Sequence, residues 1–341
     1  MTPIGGRITT RVEDAVFVEA PARLHSGVLD LRGALGRWFG GIGAAAPAPT
    51  LLVSASASDT VTVEGEDAGR ATEFARRMLA HVEQVRGAPR GARIRVHRAL
   101  PPHAGLGSGT QLALAIGRTL SELHEVDMDA AELARTMGRA KRSAIGTWTF
   151  AGGGLIVEGG RRVGQNDVAP LLARLPFPAS WRCVLAVPHA GAGVSGAAES
   201  RALAELPSPP EGDVERVAYL VLMALLPALV EADIESFGAT LSEIQQMTGR
   251  WFASAQGGTF APGSEDLVRC MAASGARGVG QSSWGPAVYG IVDGQEASAR
   301  LAGRVREVLG PAGDVYEGPF RSDGARVWRA QITGDTVETQ S

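Results

Sequence analysis

Residues Pro101-Pro102-His103-Ala104-Gly105-Leu106-Gly107-Ser108-Gly109-Thr110-Gln111 mark a change of pattern along the chain. Upstream, Ala92-Arg93-Ile94-Arg95-Val96-His97 alternates apolar and polar side chains, which predicts a half-buried strand. Pro101-Pro102 stops regular structure. Beyond Gly109, Leu112, Ala113, Ile116, Leu120 and Leu123 recur at helical spacing. A glycine-rich loop therefore feeds a helix N-terminus. The first N–H groups of a helix lack internal partners, and its dipole is positive there. Glycines let a ligand come close to the backbone, so the loop suits a phosphate or diphosphate. Two better-known loops do not match: a Walker A loop needs Lys where Thr110 and Gln111 stand, and GxGxxG needs glycine at 110. The alternative is a tight turn with Ser108 as helix N-cap.

The 341 residues allow one large domain or two ordinary ones. Acidic and basic residues nearly balance, 36 against 33, and form no block of one sign. A nucleic-acid partner and a basic membrane-binding face are not expected. Cys183 and Cys270 match no zinc or redox spacing and are expected as small buried residues. The first twenty residues contain no apolar targeting core, and the most apolar run, 217–230, is short and contains Pro227. A cytoplasmic enzyme is the expectation.

Strands are predicted at 15–18, 51–53 and 60–64, and a helix at 71–85 with Phe74, Met78, Val82 and Val85 on one face. Asp129 followed by Glu132 reads as a capping box for a helix reaching Ala140. A short apolar strand at 153–157 closes the first half. The proline-rich strip 170–178 reads as a boundary. The second half restarts with a strand at 182–187, then helices at 214–230, 234–247 and 265–273. A glycine-rich stretch, 275–280, leads through Gln281-Ser282-Ser283-Trp284 to a strand at 287–292, a helix at 296–309 and a strand at 313–316. The 45 glycines cluster at turns, and no repeat is visible. Strands and helices mixed without strict alternation predict an α+β fold in two lobes, residues 1–165 and 166–341.

With that layout, the loop 101–109 resembles the second motif of the GHMP kinase superfamily. Gly191-Ala192-Gly193-Val194-Ser195-Gly196 resembles its Val-Ser loop, and 275–290 its third, glycine-rich motif. The resemblance implies a ribosomal S5 domain 2-like N-terminal lobe and a ferredoxin-like C-terminal lobe. Many members carry an acidic base shortly after the second motif; in the matching segment Arg142-Ser143-Ala144-Ile145-Gly146-Thr147, Gly146 stands there.

A narrower resemblance accounts for that change. Ala22-Arg23-Leu24-His25-Ser26-Gly27-Val28-Leu29-Asp30-Leu31, Gly36-Arg37 and Gly40-Gly41-Ile42-Gly43 are similar to the N-terminal signature of the β-ribofuranosylaminobenzene 5′-phosphate synthases. So are 142–146 with 153–157, and Leu171-Leu172-Ala173-Arg174-Leu175-Pro176-Phe177-Pro178 with Trp181-Arg182. That family keeps the GHMP fold but joins 5-phosphoribosyl 1-pyrophosphate to 4-aminobenzoate. It releases diphosphate and carbon dioxide on the way to tetrahydromethanopterin. The pattern has a polar pair where Trp38-Phe39 stands.

The resemblance implies three physical services. The departing diphosphate needs preorganised donors, for which Gly105, Gly107, Ser108, Gly109 and Thr110 are candidates, with Gln111 one step into the helix. The acceptor carboxylate suits an arginine fork: Arg23, Arg37 or Arg142, with Ser143 beside the last. A carboxylate near an oxocarbenium-like ribose would stabilise it, with Asp30 first and Asp167 second. Asp30 can instead cap a turn before Arg32-Gly33, and Asn166-Asp167 can form a turn. His25 is a candidate proton shuttle or substrate contact, or a structural histidine. Mg²⁺ is expected to accompany the diphosphate donor, although no dedicated metal cage is visible. A homodimer and small-molecule substrates are expected. The alternatives are a GHMP-type kinase acting on a small alcohol, and a non-catalytic nucleotide- or metabolite-binding relative.

Overall fold

The computed structural model describes residues 12–87, 91–189 and 196–333. The Val-Ser loop expected at 191–196 lies, except for its last residue, outside the described residues.

Two long strands form the spine of the first lobe: β1 (Val12–Asp30) and β2 (Arg37–Ser58), antiparallel. Then come β3 (Thr62–Gly65), α1 (Ala68–Arg86), β4 (Gly91–Arg98), α2 (Ser108–Leu123), α3 (Ala130–Thr136) and α4 (Ile145–Gly152). The short strands β5 (Leu155–Glu158), β6 (Arg161–Arg162) and β7 (Leu171–Leu175) hang from the β2 side. The last strand among the described residues, β12 (Arg326–Thr333), returns to the free edge of β1, giving a sheet ordered β12-β1-β2-β4-β3. Thus β7 and β12, both beyond residue 166, belong to the first sheet.

The second lobe holds β8 (Trp181–Pro188), α5 (Gly196–Glu205), α6 (Glu211–Leu220), one π-helical turn (Val221–Leu225), α7 (Leu226–Val230) and α8 (Ile234–Gln256). It continues with α9 (Ser264–Ala273), β9 (Gly278–Gln281), β10 (Val288–Asp293), α10 (Gln295–Leu309) and β11 (Gly313–Pro319). Its antiparallel sheet runs β11-β8-β10-β9, the ferredoxin-like order. The two-lobed α+β architecture is the expected one.

Burial explains how the lobes join. Strand β8 alternates: Cys183, Leu185 and Val187 face the large core shared with the first lobe, while Val184 and Ala186 face a smaller core under α9 and α10. Cys270, expected buried, is only partly so. Helix α2 is buried nearly all round, with Leu112, Ala113, Leu114, Ala115 and Ile116 at 1% exposure or less. A helix with so wide an apolar surface sits between other elements, here the sheet and α1 and α4. That rigid placement fixes the glycine-rich loop at its N-terminus.

Candidate active site

The loop enters α2 through two left-handed residues, Gly105 (φ 83°) and Gly107 (φ 74°). A Cβ on Gly105 would strike the Ser282 carbonyl oxygen. Gly107, not Ser108, is the N-cap, and its carbonyl accepts from the N–H of Thr110 and Gln111 at 2.9 Å each. Side chains ring the open face of the loop. Beside Gly107 lies Arg23, whose Cβ and Nε would each be 3.4 Å from an added Cβ. Beside Gly109 lie Arg70 Nη1 and Arg139 Nη2, 3.4 and 3.7 Å from an added Cβ. The Arg139 guanidinium also donates to Thr110 Oγ1 through Nε at 3.3 Å and Nη2 at 3.1 Å.

The loop forms one wall of a cleft of about 630 Å³ between the lobes. Strand β1 supplies Arg23 and His25. Irregular pairing at Pro21/Arg23 and at His25/Gly27 brackets these residues, as bulges do when they re-aim side chains beside a site. Alternation then sends Leu24 into the core and the other two to the cleft. The second lobe is stitched on by hydrogen bonds: Ser282 Oγ donates to Gly105 O at 2.7 Å and accepts from His25 N at 3.1 Å. The N–H of Ser283 donates to His25 O at 3.1 Å.

The cleft lining combines two chemistries. One is basic: Arg23, Arg70, Arg139, Lys141 and Arg142 line it together with the loop amides, against a single lining carboxylate, Glu73, among the described residues. The other is neutral. Phe252 and Trp284 meet edge to face with centroids 5.2 Å apart, beside Gln245, Thr248, Gln256 and Gln281. These amides are committed internally: Gln245 Nε2 to Ser26 O, Gln256 Nε2 to Thr259 O, and Gln281 Nε2 to Ser283 O.

Of the residues expected from sequence, Arg23, His25, Gly105, Gly107, Ser108, Gly109, Thr110, Arg142 and Ser143 come together on this cleft. Four others do not. Asp30 Oδ1 accepts from the N–H of Arg32 at 2.6 Å and of Gly33 at 3.1 Å, the turn-capping alternative. Arg37 Nη1 donates to Gly160 O at 2.8 Å, tying β2 to the β5–β6 turn. Gln111 is fully buried on the inner side of α2 and donates to Gly146 O at 2.9 Å. Asp167, half exposed, faces Arg162 at 4.0 Å.

Sequence reasoning passed over Arg70, Arg139, Lys141, Phe252 and Glu158. The tight run Gly138-Arg139-Ala140-Lys141-Arg142 was a visible signal, since three cations in four residues rarely serve a helix interior; Ala140 there has φ 58°. Glu158 was signalled by an acid ending the apolar run Gly153–Val157 ahead of two glycines. It is fully buried, with Oε1 accepting from Ala144 N at 3.3 Å and Oε2 from Gly160 N at 2.8 Å. The Ser143 hydroxyl, 3.2 Å from His25 Nε2, acts on the Glu158 carboxyl and pulls it down, though less than burial raises it. Burial pushes the Glu158 carboxyl up to about 7. His25 is held down to about 3, first by burial and then by the charge of Arg23.

Gly146 bears on the reaction. A Cβ there would lie 3.0 Å from Thr110 Cγ2 and 3.4 Å from Thr110 Cβ, so the packing leaves little room for the acidic base of the kinase pattern.

Fold and site together define a protein of the GHMP kinase class. The family descriptions "GHMP kinases N terminal domain" and "GHMP kinases C terminal" match residues 73–153 and 225–310. Homoserine kinase from Cytophaga hutchinsonii superposes with a TM-score of 0.67 at 18% identity, covering 96% of this chain and 100% of that one, a likeness of fold. Two archaeal relatives are closer in sequence. The beta-ribofuranosylphenol 5'-phosphate synthase of Methanothermobacter thermautotrophicus is 35% identical over 324 residues, covering 89% of this chain and 96% of the relative. That of Archaeoglobus fulgidus is 36% identical over 287 residues, covering 81% and 87%. The chain belongs to the beta-ribofuranosylphenol 5'-phosphate synthase family.

Proposed function

We propose that the protein is a decarboxylating pentosyltransferase of methanopterin biosynthesis. It joins 5-phosphoribosyl 1-pyrophosphate to 4-aminobenzoate, or to the hydroxybenzoate that a phenol product requires. The products are a β-ribofuranosyl arene 5′-phosphate, carbon dioxide and diphosphate. The observation that carries this reading is a single cleft lined both by a basic, amide-rich set of groups and by a neutral, aromatic set.

The amides opening α2, with the Ser108 and Thr110 hydroxyls and Arg139, receive the diphosphate. Charge grows on that group as the bond to ribose breaks, so fixed donors stabilise the transition state more than the ground state. Phe252 and Trp284 offer ring faces and edges to the arene. Arg23 and Arg142 hold the acceptor carboxylate until it leaves as carbon dioxide. Gly146 supports this reading over a kinase, because phosphoryl transfer to an alcohol uses a base that the packing against Thr110 leaves little room for.

Mg²⁺ is part of the proposal. The hydroxyls of Ser108 and Thr110 and the carboxylate of Glu73 are hard oxygen donors of the kind it accepts, and the ion would neutralise diphosphate charge. Among the described residues no group of three or more His, Cys, Asp or Glu could hold a metal, so the ion is proposed to come with the donor. No helix of the described residues is long and apolar enough to cross a membrane. A cytoplasmic homodimer completes the proposal; light scattering of the purified protein tests the dimer.

The activity is tested by incubating the protein with the ribosyl donor, Mg²⁺ and carboxyl-labelled 4-aminobenzoate or 4-hydroxybenzoate. Labelled carbon dioxide is expected from at least one acceptor. ATP consumption on an alcohol, with no carbon dioxide from either, overturns the proposal.

A further inference from the structure

The most deeply placed acid near the cleft is not on its wall. Glu158 ends β5 with no exposed surface, its two oxygens held by the N–H groups of Ala144 and Gly160. Ser143 precedes Ala144, its hydroxyl pulls the Glu158 carboxyl down, and its Oγ lies 3.2 Å from Nε2 of His25, which lines the cleft. Ser143 Oγ also accepts from Ile145 N at 3.2 Å. The hydroxyl therefore has one proton to give and two neighbours able to receive it. The backbone of His25 is pinned on both sides by Ser282 and Ser283, so the imidazole is not a loose surface group.

We propose that Glu158 is the proton store of the reaction, connected to the acceptor's para O–H or N–H through Ser143 and His25. This rests on reading the cleft as an aryl-ribosylating site. When Glu158 is ionised, Ser143 donates to it and Nε2–H of His25 donates to Ser143. The ring's other nitrogen, Nδ1, is then an acceptor serving the cleft.

The step balances as follows for a hydroxybenzoate. The ring carbon that bears the carboxylate bonds to C1 of the ribose with its own electron pair. The C1–O bond breaks and the diphosphate keeps that pair. The para O–H proton passes to Nδ1, the Nε2 proton to Ser143 Oγ, and the Oγ proton to a Glu158 oxygen, leaving a neutral dienone ring that still carries its carboxylate. The bond to the carboxylate then breaks. Carbon dioxide leaves, and the released pair restores the aromatic ring as a phenolate. The proton returns by the same line to make the phenol. No oxidant and no net proton are needed. The line also explains why the titratable groups sit where they do. Burial and Arg23 keep His25 from holding a full charge, so it conducts the proton, whereas Glu158 accepts one near neutrality.

Three readouts test this. Ser143→Ala keeps both backbone contacts of Glu158 but cuts the line. kcat is expected to fall at least ~10²-fold, as for loss of general acid–base catalysis, with both KM values within ~threefold. Ser143→Thr, which keeps a hydroxyl, is expected to recover most of the loss. In the unliganded protein with ¹⁵N-labelled histidine, above the range in which Glu158 titrates, His25 is expected as the Nε2–H tautomer. Below that range the protonated carboxyl donates to Ser143 while its oxygens still accept from the backbone, Ser143 turns to His25, and the tautomer becomes Nδ1–H. A Ser143→Ala kcat within twofold of the parent, or a His25 tautomer that stays unchanged across the Glu158 titration, overturns the proposal. If the parent itself releases no carbon dioxide, the reading of the cleft fails instead, and the tautomer readout still judges the hydrogen-bonded line.

Discussion

At the scale of single residues, the cleft concentrates charge where a diphosphate would sit. Ser108, placed beside the diphosphate, and Arg142, placed beside the acceptor carboxylate, are two of the cleft residues that the sequence already pointed to. Arg142→Ala and Ser108→Ala are each expected to lower kcat/KM at least ~10²-fold in the carbon dioxide assay, the usual loss for a preorganised charge contact. Near-parental rates in both would place the chemistry elsewhere. His25 and Glu158 also leave a mark on stability. His25 is lowered from 6.5 to about 3, so the unfolded chain takes up that proton first and stability falls as pH drops through this range. Glu158 is raised from 4.5 to about 7, so the folded chain takes up that proton first and stability falls as pH rises through this range. Between 4.5 and 6.5 the folded and unfolded chains each bind one proton at this pair, and the slopes cancel. Glu158→Gln removes one partner. Its unfolding free energy, relative to the parent, is expected to rise with pH across that window by about 1.4 kcal/mol per unit. Denaturant melts at stepped pH measure this, and a difference that stays flat contradicts the assignment.

At the scale of elements, the strands and helices whose patterning is local were legible in the sequence. The alternation before Pro101 is β4, and the spacing after Gly109 is α2. Asp129 caps α3 as its motif predicts, accepting from Glu132 N, although the helix ends at Thr136 rather than Ala140. Elements stabilised by distant partners were not legible. Only 15–18 and 51–53 read as strand in β1 and β2, because Pro21 and the glycines at 40, 41 and 43 look like breaks; in the structure they sit at irregular pairing or are tolerated beside a neighbour. Strand β12 pairs with β1 from the far end of the chain, an association no local window contains. The helix expected at 214–230 carries a π turn at its centre, ahead of Pro227. The contribution of α8 to the site was unreadable for a similar reason, since Phe252 looks like any apolar helix residue until Trp284 packs on it. Phe252→Ala is expected to raise the acceptor KM ~five- to tenfold, matching about 1 kcal/mol for a lost aromatic contact, with donor KM unchanged. Gly105→Ala forces a left-handed backbone and a clash with the Ser282 carbonyl. Urea unfolding is expected to show a loss of about 2–3 kcal/mol, and a neutral result would mean the lobes are not held at this seam.

At the scale of the whole molecule, the protein shows how one fold changes chemistry without changing shape. The glycine-rich loop and its helix are present, while Gly146, where the resemblance puts the kinase acid, packs on Thr110. Gly146→Asp is therefore expected to displace Thr110 from Arg139 and to reduce carbon dioxide release without creating ATP-dependent phosphorylation of an alcohol. Appearance of kinase turnover in that variant would show that the missing acid alone separates the two activities. The central claim is that the amides opening α2 cradle a diphosphate leaving ribose. The most direct measurement is a crystal structure with the ribosyl donor, or diphosphate, and Mg²⁺. Density for the diphosphate is predicted against the N–H groups of 107–110 within reach of Arg139, with C1 of the ribose turned toward Phe252 and Trp284; a diphosphate bound elsewhere, with this loop unfilled, would contradict it.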